Sequence, residues 1–195
     1  MDKLLDKFVT GKRCFLEVLQ NSGPLHAVLE TNVAELADDE TIGGIVHNVG
    51  MAKHRYSSIV KRLGRLVSKV LAILKTAETV RIKRAGKPEG KVAEQFLEEL
   101  NEEGLIQLAM MADAADEAYI LTCFMDDSDY DLSIQADEVM AFTDNCVYLF
   151  DTGGCVAPGL SGYTNFILKF LERQRVLNTA KVLLFAPDYL LLFTQ

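Results

Sequence analysis

Read in steps of three and four, the apolar positions from Ile42 to Val80 form an unbroken series: Ile42, Ile45, Val49, Ala52, Tyr56, Ile59, Leu63, Leu66, Val70, Ile73, Ala77 and Val80. Heptad spacing puts all of them on one side of a helix, so the stretch predicts a long helix whose apolar seam packs against another helix. Unbroken from Ile42 to Arg84, it would measure about 60 Å at the usual rise. Gly43, Gly44, Gly50 and Gly64 each weaken it by about 1 kcal/mol relative to alanine, which makes Gly50 or Gly64 the expected place for a kink. Gly50, Ser57 and Gly64 also recur every seven residues beside the seam, where a second helix could come close. Three tolerated small residues is the simpler account.

The same periodicity organises the flanks. Leu4, Leu5, Phe8, Phe15, Leu16, Val18 and Leu19 predict two short helical pieces around Gly11, and Asn21-Ser22-Gly23-Pro24 predicts a turn before a helix over Leu25–Leu36. Ala85-Gly86-Lys87-Pro88-Glu89-Gly90 is the clearest break in the chain. Beyond it, helices are expected over Lys91–Asn101, then Leu105–Phe124 after an interruption at Gly104, then Ser133–Phe150 and Tyr163–Leu177. The Ala- and Met-rich segment Leu105–Phe124 has little polar surface and reads as buried on most sides. Lys181–Ala186 and Tyr189–Phe193 flank Pro187-Asp188, and periodicity leaves a small β hairpin and a final helix equally open. The fold class is therefore mainly α, a long basic helix packed against acidic helices in a bundle, with a small β element at the C-terminus as an option. Two regions are expected, 1–86 and 91–195, with one continuous domain as the alternative.

Charge sharpens this division. From Lys53 to Lys91 there are twelve Lys and Arg against Glu78 and Glu89; from Val92 to Leu168 there are sixteen Asp and Glu and no Lys or Arg. With the seam at heptad positions a and d, Arg55, Arg62, Lys69 and Lys83 fall at g, while Val46, Val60, Val67 and Leu74 broaden the apolar stripe at e. No acid stands in either row, so a parallel pair of identical helices would set like charges side by side. The seam residues Leu63, Leu66 and Val70 and the cations Arg55, Arg62, Lys69 and Lys83 are thus the expected contacts to an apolar, acidic partner, from this chain or another. The net charge of −8 argues against nonspecific nucleic-acid binding by the whole molecule. The basic helix could still lie along phosphates, though Tyr56 is its only aromatic.

The four cysteines (Cys14, Cys123, Cys146 and Cys155) are scattered, and Met1–Phe8 is charged and amphipathic rather than a signal peptide. A reduced, intracellular setting with idle thiols is expected. No apolar stretch reaches the ~18–20 residues a membrane span needs.

Two patterns could carry metal chemistry. Asp127, Asp129, Asp131, Ser133 and Gln135, with Ile134 at the eighth place and Glu138 at the twelfth, resemble a calcium-binding EF-hand loop, although Leu132 stands where the motif has glycine. The resemblance implies oxygen ligands from Asp127, Asp129, Asp131, Ser133 and Glu138 around Ca²⁺. Glu98-Glu99-x-x-Glu102 followed by Asp113-x-x-Asp116 resembles the carboxylate pattern of all-α nucleotide pyrophosphohydrolases of the MazG type. That resemblance implies acids on two antiparallel helices holding Mg²⁺ against a triphosphate. Phe150-Asp151-Thr152-Gly153 resembles the Asp-Thr-Gly of aspartic proteases, but that chemistry needs a pair of Asp on a β scaffold, whereas the patterns before it are largely helical and only 44 residues follow Asp151. His47 and His54 lie seven residues apart, too far along a helix for one metal.

The leading expectation is a non-enzymatic structural or assembly protein without a cofactor, associating with itself or an acidic protein through helical surfaces. A viral or phage component falls within it, cytoplasmic or in a virion. The contrasting expectations are a Ca²⁺- or Mg²⁺-dependent protein and a nucleic-acid-binding accessory protein.

Overall fold

Leu63, Leu66, Val70, Ile73, Ala77 and Val80, six successive members of the seam, are at most 2% exposed. Val60 and Val67, beside them, are buried as well, so the stripe is as wide as the sequence indicates. They belong to a computed structural model that describes residues 2–11, 14–36, 55–126, 132–157 and 162–184, with only the backbone at 2, 10, 55–58, 132 and 176–184. The first part of the seam, 42–54, lies outside the described residues.

The described residues form nine α-helices and no strand. In chain order they are α1 (Asp2–Leu5, continued by a π-helical turn Asp6–Thr10), α2 (Phe15–Asn21), α3 (Gly23–Glu35), α4 (Arg55–Ser68), α5 (Val70–Lys83), α6 (Pro88–Glu99), α7 (Glu102–Met125), α8 (Gln135–Cys146, continued by a π-helical turn Val147–Asp151) and α9 (Tyr163–Leu184). The protein is mainly α. The option of a C-terminal β element bears on residues that are partly described: Lys181–Leu184 belong to α9, and 185–195 lie outside the described residues.

The basic helix is divided at Lys69, whose φ of −111° and ψ of 24° leave the helical range. The backbone bonds Lys69 N–H to Arg65 O (3.0 Å) and Ile73 N–H to Lys69 O (2.9 Å) persist across the joint. The division separates two sets of neighbours: α4 packs against α7 and α9, and α5 against α6 and α3. Gly64 is not the kink. A Cβ there would lie 2.8 Å from the Tyr163 hydroxyl, so this glycine admits the first residue of α9 against α4. Burial, with Asp116 and Asp113 near, pushes the Tyr163 phenol up.

A short turn joins α5 to α6. Gly86 takes φ +79°, Pro88 opens α6 in the first turn where its missing N–H costs nothing, and Arg84 N–H returns to Val80 O at 2.8 Å. Phe96 of α6 receives Phe8 edge-on at 5.8 Å and Phe15 at 5.0 Å between ring centroids. Asn32 of α3 donates to Thr76 Oγ1 (2.8 Å), and the fully buried Thr76 hydroxyl donates to Ala72 O (2.7 Å). One continuous core results, from Phe8 through the seam to Leu171.

Gly104 does not interrupt α7. It lies in the first turn, where its N–H is accepted by the Asn101 side chain at 2.8 Å, a side-chain cap that starts the helix. The second half of α7 departs from its expected burial. Leu105, Leu108, Ala109 and Ala112 are in the core, but no residue after Asp113 is buried, and Ile120 is 60% exposed.

Candidate functional site

The 24 residues of α7 outrun the core that covers their first half. The exposed half is met by α8, which folds back along it. The Asn145 amide donates to Glu117 Oε2 at 3.1 Å, and Tyr148 and Leu149 stand beside Asp113 and Asp116 around a cavity of about 280 Å³. This pairing makes an antiparallel hairpin, here called the arm. No described side chain of α8 or of the π-helical turn after it is buried. Met140 is 63% exposed, and Val139, Val147 and Tyr148 are exposed with it. Asp137, Met140, Asp144 and Val147 follow one another at spacings of three, four and three, so one face of the arm alternates carboxylate and apolar side chains.

The base of the arm is fixed by Asp113. This buried carboxylate accepts the Tyr163 N–H at Oδ1 (2.7 Å) and the Thr164 N–H at Oδ2 (2.9 Å). It thereby caps the N-terminus of α9 from another helix, satisfying two otherwise orphaned donors and meeting the positive end of the α9 dipole. The neighbouring Gly162 leaves it room, since a Cβ there would lie 3.0 Å from Oδ1.

That role bears on the magnesium-carboxylate pattern. Glu102, Asp113 and Asp116 lie on the single continuous helix α7, not on two facing helices. Over eleven residues the rise separates Glu102 from Asp113 by about 16 Å. Glu99 pairs instead with Lys7 at 2.9 Å, and Glu102 with Arg175. Of the EF-hand-like loop, Asp127, Asp129 and Asp131 lie outside the described residues. Ser133 stands in a 3₁₀ turn (Leu132–Ile134), and Glu138 in the first turn of α8. Among the described residues no three His, Cys, Asp or Glu come together as a metal-binding group. His47 and His54 lie outside the described residues. Asp151-Thr152-Gly153 ends the π-helical turn, with Gly153 at φ +75°.

The expected partner contacts divide into two groups. Leu63, Leu66 and Val70 face this chain's own helices in the core. The cations lie outside it. Arg62 donates to Val9 O at 3.3 Å, Lys69 is half-buried, Lys83 is exposed, and Arg55 starts α4 with its side chain outside the description. Arg62 and Lys69, joined by Arg65, rim a cleft of about 230 Å³ whose floor is Leu16, Leu19, Leu29 and Ile73. His26 and Glu30, 3.8 Å apart, line it from α3. Among the described residues no ion pair joins these three cations to a carboxylate.

Sequence reasoning missed Arg65 and the exposed face of the arm. Arg65 was within reach of spacing, standing three residues after Arg62 and four before Lys69 on one helical face. The arm had no such signal, because its exposure depends on where neighbouring helices stop. Among the described residues no helix is long and apolar enough to cross a membrane. No family model, no curated protein and no solved structure matches this chain.

Proposed function

We propose that this chain is a non-enzymatic assembly protein that associates with further copies of itself through the exposed face of the arm. The observation that carries this reading is the exposure of Ile120, Val139, Met140, Val147 and Tyr148 on a hairpin whose second helix buries nothing. Apolar side chains gathered on one protruding element, and rimmed by carboxylates, are the mark of an interaction surface rather than of scattered surface residues. The contact is made by side chains on rigid helices, so association needs no refolding of the core.

Light scattering over a concentration series tests this. The wild-type chain is expected to exceed the monomer mass as concentration rises, and Met140→Ser to associate about tenfold or more weakly with an unchanged helical circular-dichroism signal. A wild-type chain that stays monomeric throughout overturns the reading.

A further inference from the structure

We infer that the arm of one copy docks into the cation-rimmed cleft between α3 and α4 of the next, with Met140 entering the cleft. This rests on the assembly reading above and names the surface the arm meets.

The argument starts from charge. In a chain of net charge −8, Arg62, Arg65 and Lys69 are gathered around one concavity that holds the single carboxylate Glu30, and among the described residues no ion pair joins any of the three cations to a carboxylate. Their spacing of three and four puts them on one face of α4 and the joint that follows it. Three cations against one carboxylate leave the described lining net positive, and an anionic surface is drawn to it. The arm is such a surface: α7 and α8 contain no Lys or Arg.

Register supports the match. Asp137 and Asp144 are seven residues apart with Met140 between them; Arg62 and Lys69 are seven apart with Arg65 between them. Each pair spans about 10 Å on a helix. Laid together, the two acids fall beside the two outer cations while Met140 points at the Leu16, Leu19, Leu29 and Ile73 floor. The size of the cleft also discriminates. At about 230 Å³ it falls below the ~300–1,000 Å³ of sites that enclose small-molecule ligands, and a single flexible thioether side chain suits it.

The same charges exclude the simplest alternative. Two arms packed face to face would set Asp137 and Asp144 against their own copies, with no cation on either hairpin to offset them. The contact is therefore heterologous, and successive copies add head to tail into a closed ring or an open chain. One hairpin face against one cleft lies at the low end of interface size, below about 1,200 Å². The association is accordingly weak and falls as salt screens the pairs.

Two variants decide it. Met140→Ser takes the apolar anchor from the arm without changing its charge, and Arg65→Glu with Lys69→Glu blocks the cleft; Arg62 is spared because it also holds Val9 O. Each variant alone should sediment as a monomer, with self-association weakened by about tenfold or more, as expected when a central apolar anchor or close charge pairs at an interface are lost. Mixed in equal amounts, they should form a one-to-one dimer and nothing larger, since only one intact arm and one intact cleft remain. If R65E/K69E associates like the wild type, the cleft is not the acceptor and the inference falls while the assembly reading stands. If M140S associates like the wild type, the arm is not the interface and both fall. Should R65E/K69E lose its helical signal, K69E alone is measured, and undiminished association there overturns the inference.

Discussion

The α5–α6 hairpin and the α7–α8 hairpin are both rich in apolar residues and end in opposite environments. In the first, Val70, Ile73, Ala77, Val80, Ala93, Phe96 and Leu97 are buried, and Phe8 and Phe15 close over Phe96. In the second, burial stops at Asp113, and Met140 and Ile120 face outward. The difference does not lie in hydrophobicity. It lies in whether a third element covers the hairpin: α3 and the N-terminal π-helical turn serve the first, and only the near half of α7 has α4 and α9 against it. An apolar helix is a demand for a neighbour, and a fold can leave that demand to another molecule.

The comparison can be broken most directly by truncation. Leu66→Ala in the core should cost about 3 kcal/mol, the usual loss for a large buried side chain, whereas Met140→Ala should stay within about 0.5 kcal/mol as an exposed change does. Urea unfolding measures both, at a concentration where the chain is monomeric. Comparable losses would mean that the arm is part of the core.

Asp113 stands at the border between the two regions. Asp113→Ala leaves the Tyr163 and Thr164 N–H groups without their acceptor and should cost about 2–3 kcal/mol. Asp113→Asn keeps one acceptor oxygen and should lose less. An equal loss in both variants would indicate that charge at this position, rather than the number of acceptors, sets the stability.

A smaller effect is expected at the α4–α9 contact. Gly64→Ala forces the Tyr163 hydroxyl aside, and overpacking of this kind costs about 1–2 kcal/mol. Tyr163→Phe in the same chain should recover part of it, because the nearest atom, at 2.8 Å, is then gone. A double-mutant cycle with no coupling would show that the two residues do not touch.

The mildest probe is thiol chemistry. Cys123 is exposed on the arm. Cys14 is buried at the core edge, where burial pushes its thiol up and its Sγ–H donates to Val9 O at 3.6 Å. A raised thiol carries less thiolate at pH 8, so a chromogenic disulfide reagent should label Cys123 first and Cys14 only on unfolding. Early labelling of Cys14 would place the N-terminal segment outside the core.

Sequence patterning carried the seam well. The Leu63–Val80 series, the widening at Val60 and Val67, and the turn at Gly86-Lys87-Pro88 are local consequences of spacing and backbone chemistry, and the structure shows each of them. The joint at Lys69 was not legible, because lysine has no intrinsic reason to leave a helix; the joint falls where α4 and α5 turn to different neighbours. The role of Asp113 was hidden for a related reason. Its partners are backbone groups fifty residues further on, and a run of carboxylates reads the same whether it holds a cation or a peptide N–H. The candidate site was half visible: Arg62 and Lys69 stood out by charge and register, whereas the exposure of α8 depends on where neighbouring helices stop, which spacing along the chain does not encode.

Because α8 lends nothing to the core, the length of the hairpin is decoupled from the stability of the body that carries it. Inserting seven residues into each of its two helices would move the tip outward by about 10 Å while keeping the same face forward. The reach of the hairpin can thus change without altering a single interior side chain.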